Sequence, residues 1–132
     1  MHNLTLKLHL QVNHNDKGGS RRYQVNYDSF YLGPASDGYR LHASGYSGNG
    51  SDGLADYHSG SMFSTGDRDQ DESDDNCAEK SSAGFWFYKC HRININGVWG
   101  DDESWTGMRW GSYKPTFSEM IVGPQANGCW VT

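Results

Sequence analysis

Six carboxylates stand within the ten residues from Asp67 to Asn76: Asp67, Asp69, Asp71, Glu72, Asp74 and Asp75. On a curled loop, alternate carboxylates can converge on one cation, and hard oxygen ligands suit calcium. Left unpaired they repel one another, and a bound ion converts that repulsion into order. A solvated acidic run is the other reading of such a cluster. An EF-hand does not fit, because the sixth position counted from Asp67 is Glu72 in place of Gly and the twelfth is Ala78 in place of Glu. Nor is there helical periodicity on either side.

The remaining reactive side chains make no catalytic pattern. His2, His9, His14, His42 and His58 are scattered and read as surface or strand residues. There is no nucleophile elbow, no HExxH and no phosphate loop, so an enzyme is not expected. None of the three cysteines, Cys77, Cys90 and Cys129, lies in a CxxC pair, which argues against a zinc knuckle or a thioredoxin-type site. Cys77 and Cys90 could close a short loop, worth about 3 kcal/mol as a disulfide in the chain-entropy model. Such a staple would suit an acid-rich loop in an oxidising, extracellular setting. Cys129 would then be free or pair between chains.

The elements that must position these residues read as strands and long loops. Leu4, Leu6, Leu8, Leu10 and Val12 alternate with polar residues, a half-buried strand of period two. After a polar loop over 13–20, Tyr23, Val25 and Tyr27 alternate again and predict a returning strand in a hairpin. Tyr39 to Ala43 reads as a short strand, Phe85 to Tyr88 as a compact aromatic strand, and Phe117 to Val122 as the last. From Ser44 to Gly60 the Gly, Ser and Asp content predicts ordered loop with one short helical turn. No stretch carries a sustained helical period. Loops this long are uncommon unless something holds them. With 132 residues, one domain with a modest core is expected. The apolar share is only 35%, yet aromatics reach 14%, which excludes disorder and supplies bulky, half-polar core residues. A net charge of −5 argues against a nucleic-acid or anionic-membrane binder. No apolar run approaches the roughly 20 residues of a membrane helix. Met1 to Leu10 alternates where a signal peptide would be solidly apolar, so an export signal would have to lie outside the chain.

The stretch from Met62 to Gly97 resembles the signature of fibrinogen-related domains, the C-terminal globular domains of fibrinogen chains, ficolins, tachylectins, angiopoietins and tenascins. Phe63-Ser64-Thr65, Asp67-Arg68-Asp69-Gln70-Asp71, Asn76-Cys77-Ala78 and Asn94-Ile95-Asn96-Gly97 follow the family's order and spacing. Ser29 to Gly33, Tyr39 to Leu41, Gly107 to Trp110 and Ser118 to Met120 extend the likeness over nearly the whole chain up to Pro124. The resemblance implies an α+β, mostly β fold: a short antiparallel sheet with long loops held by calcium and a disulfide. It implies a fibrinogen-like domain over 1–124, with a sheet part over 1–60, a calcium- and ligand-binding part over 61–124, and a tail over 125–132. The family's additional N-terminal subdomain is expected to be missing.

Carried over position by position, the resemblance puts calcium on the side chains of Asp69 and Asp71, with backbone oxygens near Ser73 and Asp75 and water completing the shell. Asp67 would help electrostatically. It pairs Cys77 with Cys90. In lectin members a pocket beside the calcium loop takes the N-acetyl group of a sugar, and the peptide bond before the second cysteine is cis, here Lys89–Cys90. The contacts would come from His91, Cys90 and Lys89, an edge of Phe85, and Ser104 and Trp105. The alternative for His91 is fixing the chain after the bridge, and for Trp105 a place in the core. Ser81 stands where some members place a pocket tyrosine. The function implied is calcium-dependent binding of acetylated glycans such as N-acetylglucosamine, in innate recognition or agglutination. The alternative is a clotting- or receptor-type protein-interaction module with purely structural calcium. One acetyl pocket supplies about −4 kcal/mol, millimolar affinity, so several linked sites would be needed. Cys129 offers one route to a homo-oligomer. The resemblance also implies a secreted protein.

Overall fold

The computed structural model describes residues 6–16, 19–101, 103 and 105–124. Its main element is a four-stranded antiparallel sheet of β1 (Leu6–Asp16), β2 (Gly19–Leu32), β3 (Leu41–Gly48) and β6 (Pro115–Pro124), in the order β3-β2-β1-β6. Leu8, Leu10 and Val12 are buried on one face of β1, as the period-two pattern requires. β2 puts Val25 and Tyr27 on that face, and then a bulge shifts the register between Leu6↔Phe30 and Leu8↔Tyr27. The extra residue switches the parity, so that Phe30 faces inward instead of Ser29. β3 continues to Gly48, beyond the expected end at Ala43, because the apolar stretch of β2 offers it further partners, Tyr27 to Tyr46 and Val25 to Gly48.

The other face of the core is covered by loops. A π-helical turn, Leu54–His58, supplies the expected short helical turn and buries Leu54 and His58. Asp52 sets it in place: its carboxylate accepts the Tyr27 hydroxyl at 2.7 Å and the Ala55 N–H at 3.1 Å. Burial, and then the Asp52 carboxylate, push the Tyr27 phenol far up, so it stays a donor. A short α-helix, α1 (Cys77–Ser81), follows the acidic run. Asn76 caps it, accepting the Glu79 N–H at 3.2 Å. At five residues α1 is too short to leave a periodic trace in the sequence. A two-stranded ladder, β4 (Ile93–Asn94) with β5 (Arg109–Trp110), completes the fold. Among the described residues no helix is long and apolar enough to cross a membrane.

The aromatic strand expected over Phe85–Tyr88 is not a strand. Only isolated bridges form there, Ser64↔Phe85 and Tyr88↔Cys90, while Phe85, Trp86 and Phe87 are all buried. Consecutive burial satisfies three large rings at once, which a strand covered on one face could not do.

Candidate functional site

His58, read from sequence as a surface or strand residue, is the buried centre of the loop region. Its Nδ1–H donates to the Trp86 carbonyl at 2.8 Å, and Nε2 accepts the N–H groups of Arg92 and Ile93 at 3.2 and 3.1 Å. Three chain segments are thereby tied to one neutral imidazole. A proton on Nε2 would face two N–H donors, and burial, with the nearby His91 and Arg92 charges and against the Trp86 carbonyl, lowers the group to about 4. The adjoining stretch is stapled by the Cys77–Cys90 disulfide, the pairing that the family resemblance implied.

The cis peptide expected at Lys89–Cys90 is absent; among the described residues every peptide bond is trans. The chain reverses there because Cys90 takes a left-handed backbone, φ 59°, and Tyr88 N–H donates to the Cys90 carbonyl at 3.1 Å.

His91, Arg92, Trp105, Arg109 and Gly111 border an open hollow of about 380 Å³. β4 and β5 bring these residues together: Asn94 pairs with Arg109 and Ile93 with Trp110, carrying the 91–92 and 109–111 segments side by side. The rim is fixed from behind by fully buried Asn94, whose Nδ2 donates to the carbonyls of Ser81 (3.4 Å), Trp105 (3.3 Å) and Gly107 (3.1 Å). His91 Nε2–H donates to the Trp105 carbonyl at 3.3 Å, and the two rings meet edge-on at 5.8 Å. Burial, with help from the Arg109 charge, holds His91 below the ordinary imidazole range. Lys80 Nζ lies 4.2 Å from the centre of the Trp105 ring and 3.4 Å from Asp75 Oδ2, so α1 reaches across to the hollow. Arg92 pairs with Asp56 at 2.9 Å.

The hollow therefore unites two of the expected contact residues, His91 and Trp105. Phe85 is not among them: it is fully buried against His58, Trp86 and Phe87. Lys89 points elsewhere, its ammonium 5.8 Å from the Tyr88 ring, and Cys90 is buried in its disulfide and does not border the hollow. Ser81 is buried in α1, so it cannot take the wall position of a tyrosine. Ser104 and Cys129 lie outside the described residues. Arg92, Arg109 and Gly111 were missed in the sequence. Their only local signal was two arginines beside short motifs, and the β4–β5 pairing that joins them is long-range.

The acidic loop is coiled by a relay of side chain to main chain. Asp69 accepts the Asp71 N–H (3.2 Å), Asp71 accepts Ser73 N–H (2.9 Å), and Ser73 Oγ accepts Asp75 N–H (3.1 Å). Asp71 Oδ2 also accepts the Cys77 N–H at 3.0 Å, which ties the loop to α1 and the disulfide. Burial pushes the Asp71 carboxyl up and the neighbouring Asp69 adds to it, against the N–H groups of Cys77 and Ser73. The Asp67 carboxylate turns to the Thr65 hydroxyl at 2.7 Å, and that bond lowers its pKa. The Asp75 carboxylate turns to Lys80. Among the described residues no three His, Cys, Asp or Glu side chains converge as a metal cluster. Asp69 and Asp71 repel one another, and a hard cation would relieve that repulsion, so the chemistry of the pair fits one.

Residues 1–124 match the family described as "Fibrinogen beta and gamma chains, C-terminal globular domain". The chain belongs to this family. It is 38% identical over 122 residues to tenascin of Gallus gallus, covering 89% of this chain and 7% of the relative. It is 40% identical over 124 residues to microfibril-associated glycoprotein 4 of Homo sapiens, covering 86% and 48%. The fibrinogen-like globe domain of human ANGPTL6 superposes with a TM-score of 0.81 at 35% identity, over 92% of this chain and 58% of that one. The chain thus spans about half or less of the curated relatives it matches. The fibrinogen-like domain is a non-enzymatic module, and its mostly β architecture is the one described above.

Proposed function

We propose that this fibrinogen-like domain is an extracellular protein-interaction module that docks its partner on the loop face around the His91–Trp105 hollow. The observation that carries this reading is the make-up of that face. Trp105, Arg92 and Arg109 border the hollow; Val98, whose N–H donates to the carbonyl of Thr106 next to Trp105, and its neighbour Trp99 are 46% and 73% exposed. Exposed Trp with Arg around a concave centre is the composition of an interface hot spot. Its similarity to tenascin and microfibril-associated glycoprotein 4 supports an adhesive setting, and the Cys77–Cys90 bridge supports an oxidising one. Binding of the labelled domain to an extracellular-matrix preparation tests it. Loss of binding after protease but not glycosidase treatment, and in Trp105→Ala, is the expected result; loss with glycosidase alone rejects the protein partner.

The sugar reading has its own support: His91 and Trp105 face one hollow whose size suits a single ring. Calorimetric titration with N-acetylglucosamine against glucosamine decides it. Heat from the acetylated sugar alone establishes a lectin, and no heat from either at millimolar concentration rejects one.

In either reading calcium sits in the acidic loop on Asp69 and Asp71, with main-chain oxygens near Ser73 and Asp75. It clamps the segment that Asp71 joins to α1. Calcium is expected to raise Tm in the parent domain and not in Asp69→Ala, since a ligand of the folded state alone adds stability. An equal rise in both would remove the ion from this loop.

A further inference from the structure

A second hollow, sharing no residue with the first, lies between the Ala35–Asp37 turn and the start of the acidic loop. It has about 220 Å³ and is bordered by Ala35, Gly38, Tyr39, Phe63, Thr65, Arg68 and Gln70. Its two ends differ chemically. The Tyr39 and Phe63 rings are apolar, and Phe63 is braced edge-on by Trp86 at 5.4 Å. At the other end Arg68 makes no side-chain hydrogen bond or ion pair among the described residues.

Two observations mark this hollow as more than a crease. Tyr39 has φ 54°, a conformation that a large side chain rarely adopts, and yet the residue is 52% exposed. Burial of the ring does not repay that strain, and glycine would fill the position at lower cost. The backbone is held there by Trp86 Nε1–H on the Tyr39 carbonyl (2.9 Å) and by Tyr39 N–H on the Pro34 carbonyl (3.2 Å). Strain kept at an exposed ring is a pointer to function. The Arg68 end is equally fixed. Thr65 and Arg68 exchange both main-chain hydrogen bonds, at 3.1 and 3.0 Å, and Gln70 is locked by Nε2 on the Phe63 carbonyl (2.7 Å).

We propose that this hollow binds a small amphipathic carboxylate, its flat apolar body between Tyr39 and Phe63 and its acid on the Arg68 guanidinium. A guanidinium fork matches a carboxylate in plane and charge. Of the neighbouring acids, Asp67 accepts the Thr65 hydroxyl at 2.7 Å and feels the Arg68 charge without a direct contact, and Asp37 pairs with Arg40 at 3.3 Å.

Benzoate and benzamide, alike in shape and different in charge, are the probes, titrated into labelled domain in calcium while the Arg68 Nε–H and Gln70 amide resonances are followed. Benzoate is expected to shift both and to bind about tenfold more tightly than benzamide, the ratio that one charge-assisted pair supplies. Arg68→Gln should bring the ratio to about one. Tyr39→Gly should lose benzoate while Tm holds or rises, because the strained residue has been relieved. Equal binding of the two probes, shifts that spare Arg68, or a Tyr39→Gly variant that melts lower and still binds benzoate would each overturn the proposal.

Discussion

Protonation of His58 should make the fold acid-labile over a defined window. The imidazole is buried, and both ring nitrogens are used as one donor and one acceptor. It titrates near 6.5 in the unfolded chain and at about 4 in the folded one. Because the folded value is the depressed one, the unfolded state takes up the proton first as pH falls. The stability that the neutral ring maintains is whole above pH 6.5, declines below it, and is gone below about 4. Between pH 7.5 and 5.0 linkage gives a loss of about 2 kcal/mol, which for a domain of this size lowers Tm by about 8 °C. His91, also lowered by burial, adds loss of the same sign, so the wild-type curve alone does not isolate His58. The comparison that does is His58→Gln, which retains a donor and an acceptor but does not titrate. Thermal melts of both proteins at pH 7.5 and 5.0, at fixed calcium, are the assay. The variant should be the less stable protein at pH 7.5, and the gap should narrow by about 2 kcal/mol at pH 5.0. An unchanged gap would refute the claim that the buried ring is neutral and proton-excluding.

Replacing Cys77 and Cys90 together by Ser should cost about 3 kcal/mol, read as a lowered denaturant midpoint, with the same loss on reducing the parent protein. Gly48→Ala should destabilise by more than about 2 kcal/mol, because φ is 130° and the new Cβ would collide with the Gln24 carbonyl oxygen. Asn94→Ala removes the amide that holds the Trp105 and Gly107 carbonyls; it should cost about 2 kcal/mol and red-shift Trp fluorescence as the Trp105 loop loosens.

The sheet was legible from sequence because its information is local. The alternation of Leu8, Leu10 and Val12, and of Val25 and Tyr27, states which side faces the core, and the structure follows it until the β2 bulge inverts the parity. The loop region was legible only through likeness to known domains. Nothing in the spacing of Phe85, Trp86 and Phe87 distinguishes a strand from three rings buried in succession. His58 carries no pattern either, since its partners Trp86, Arg92 and Ile93 are 28 to 35 residues away. The expected contacts divide for the same reason. His91 and Trp105 meet because β4 and β5 pair, whereas Phe85, near His91 in sequence, is drawn into the core by its apolar surface.

A binding face built on irregular chain needs its rigidity from elsewhere, and the residues from Cys90 to Asn94 show the source. The disulfide fixes Cys90, the His58 ring accepts the N–H groups of Arg92 and Ile93, and Asn94 pins the Trp105 and Gly107 carbonyls. Of these five residues, His91 and Arg92 border the hollow, while Cys90, Ile93 and Asn94 are buried. The same five residues therefore serve as core on one side and rim on the other. Proton uptake at His58 would act on both, releasing the Arg92 N–H and with it the rim. Because the folded ring takes up its proton only near pH 4, partner binding should hold through most of the window in which Tm falls and weaken as pH approaches 4, and His58→Gln should remove that acid loss of binding. If the parent domain, still folded, binds as strongly at pH 4 as at pH 7.5, the rim is held independently of His58, and the coupling between core and binding face is refuted.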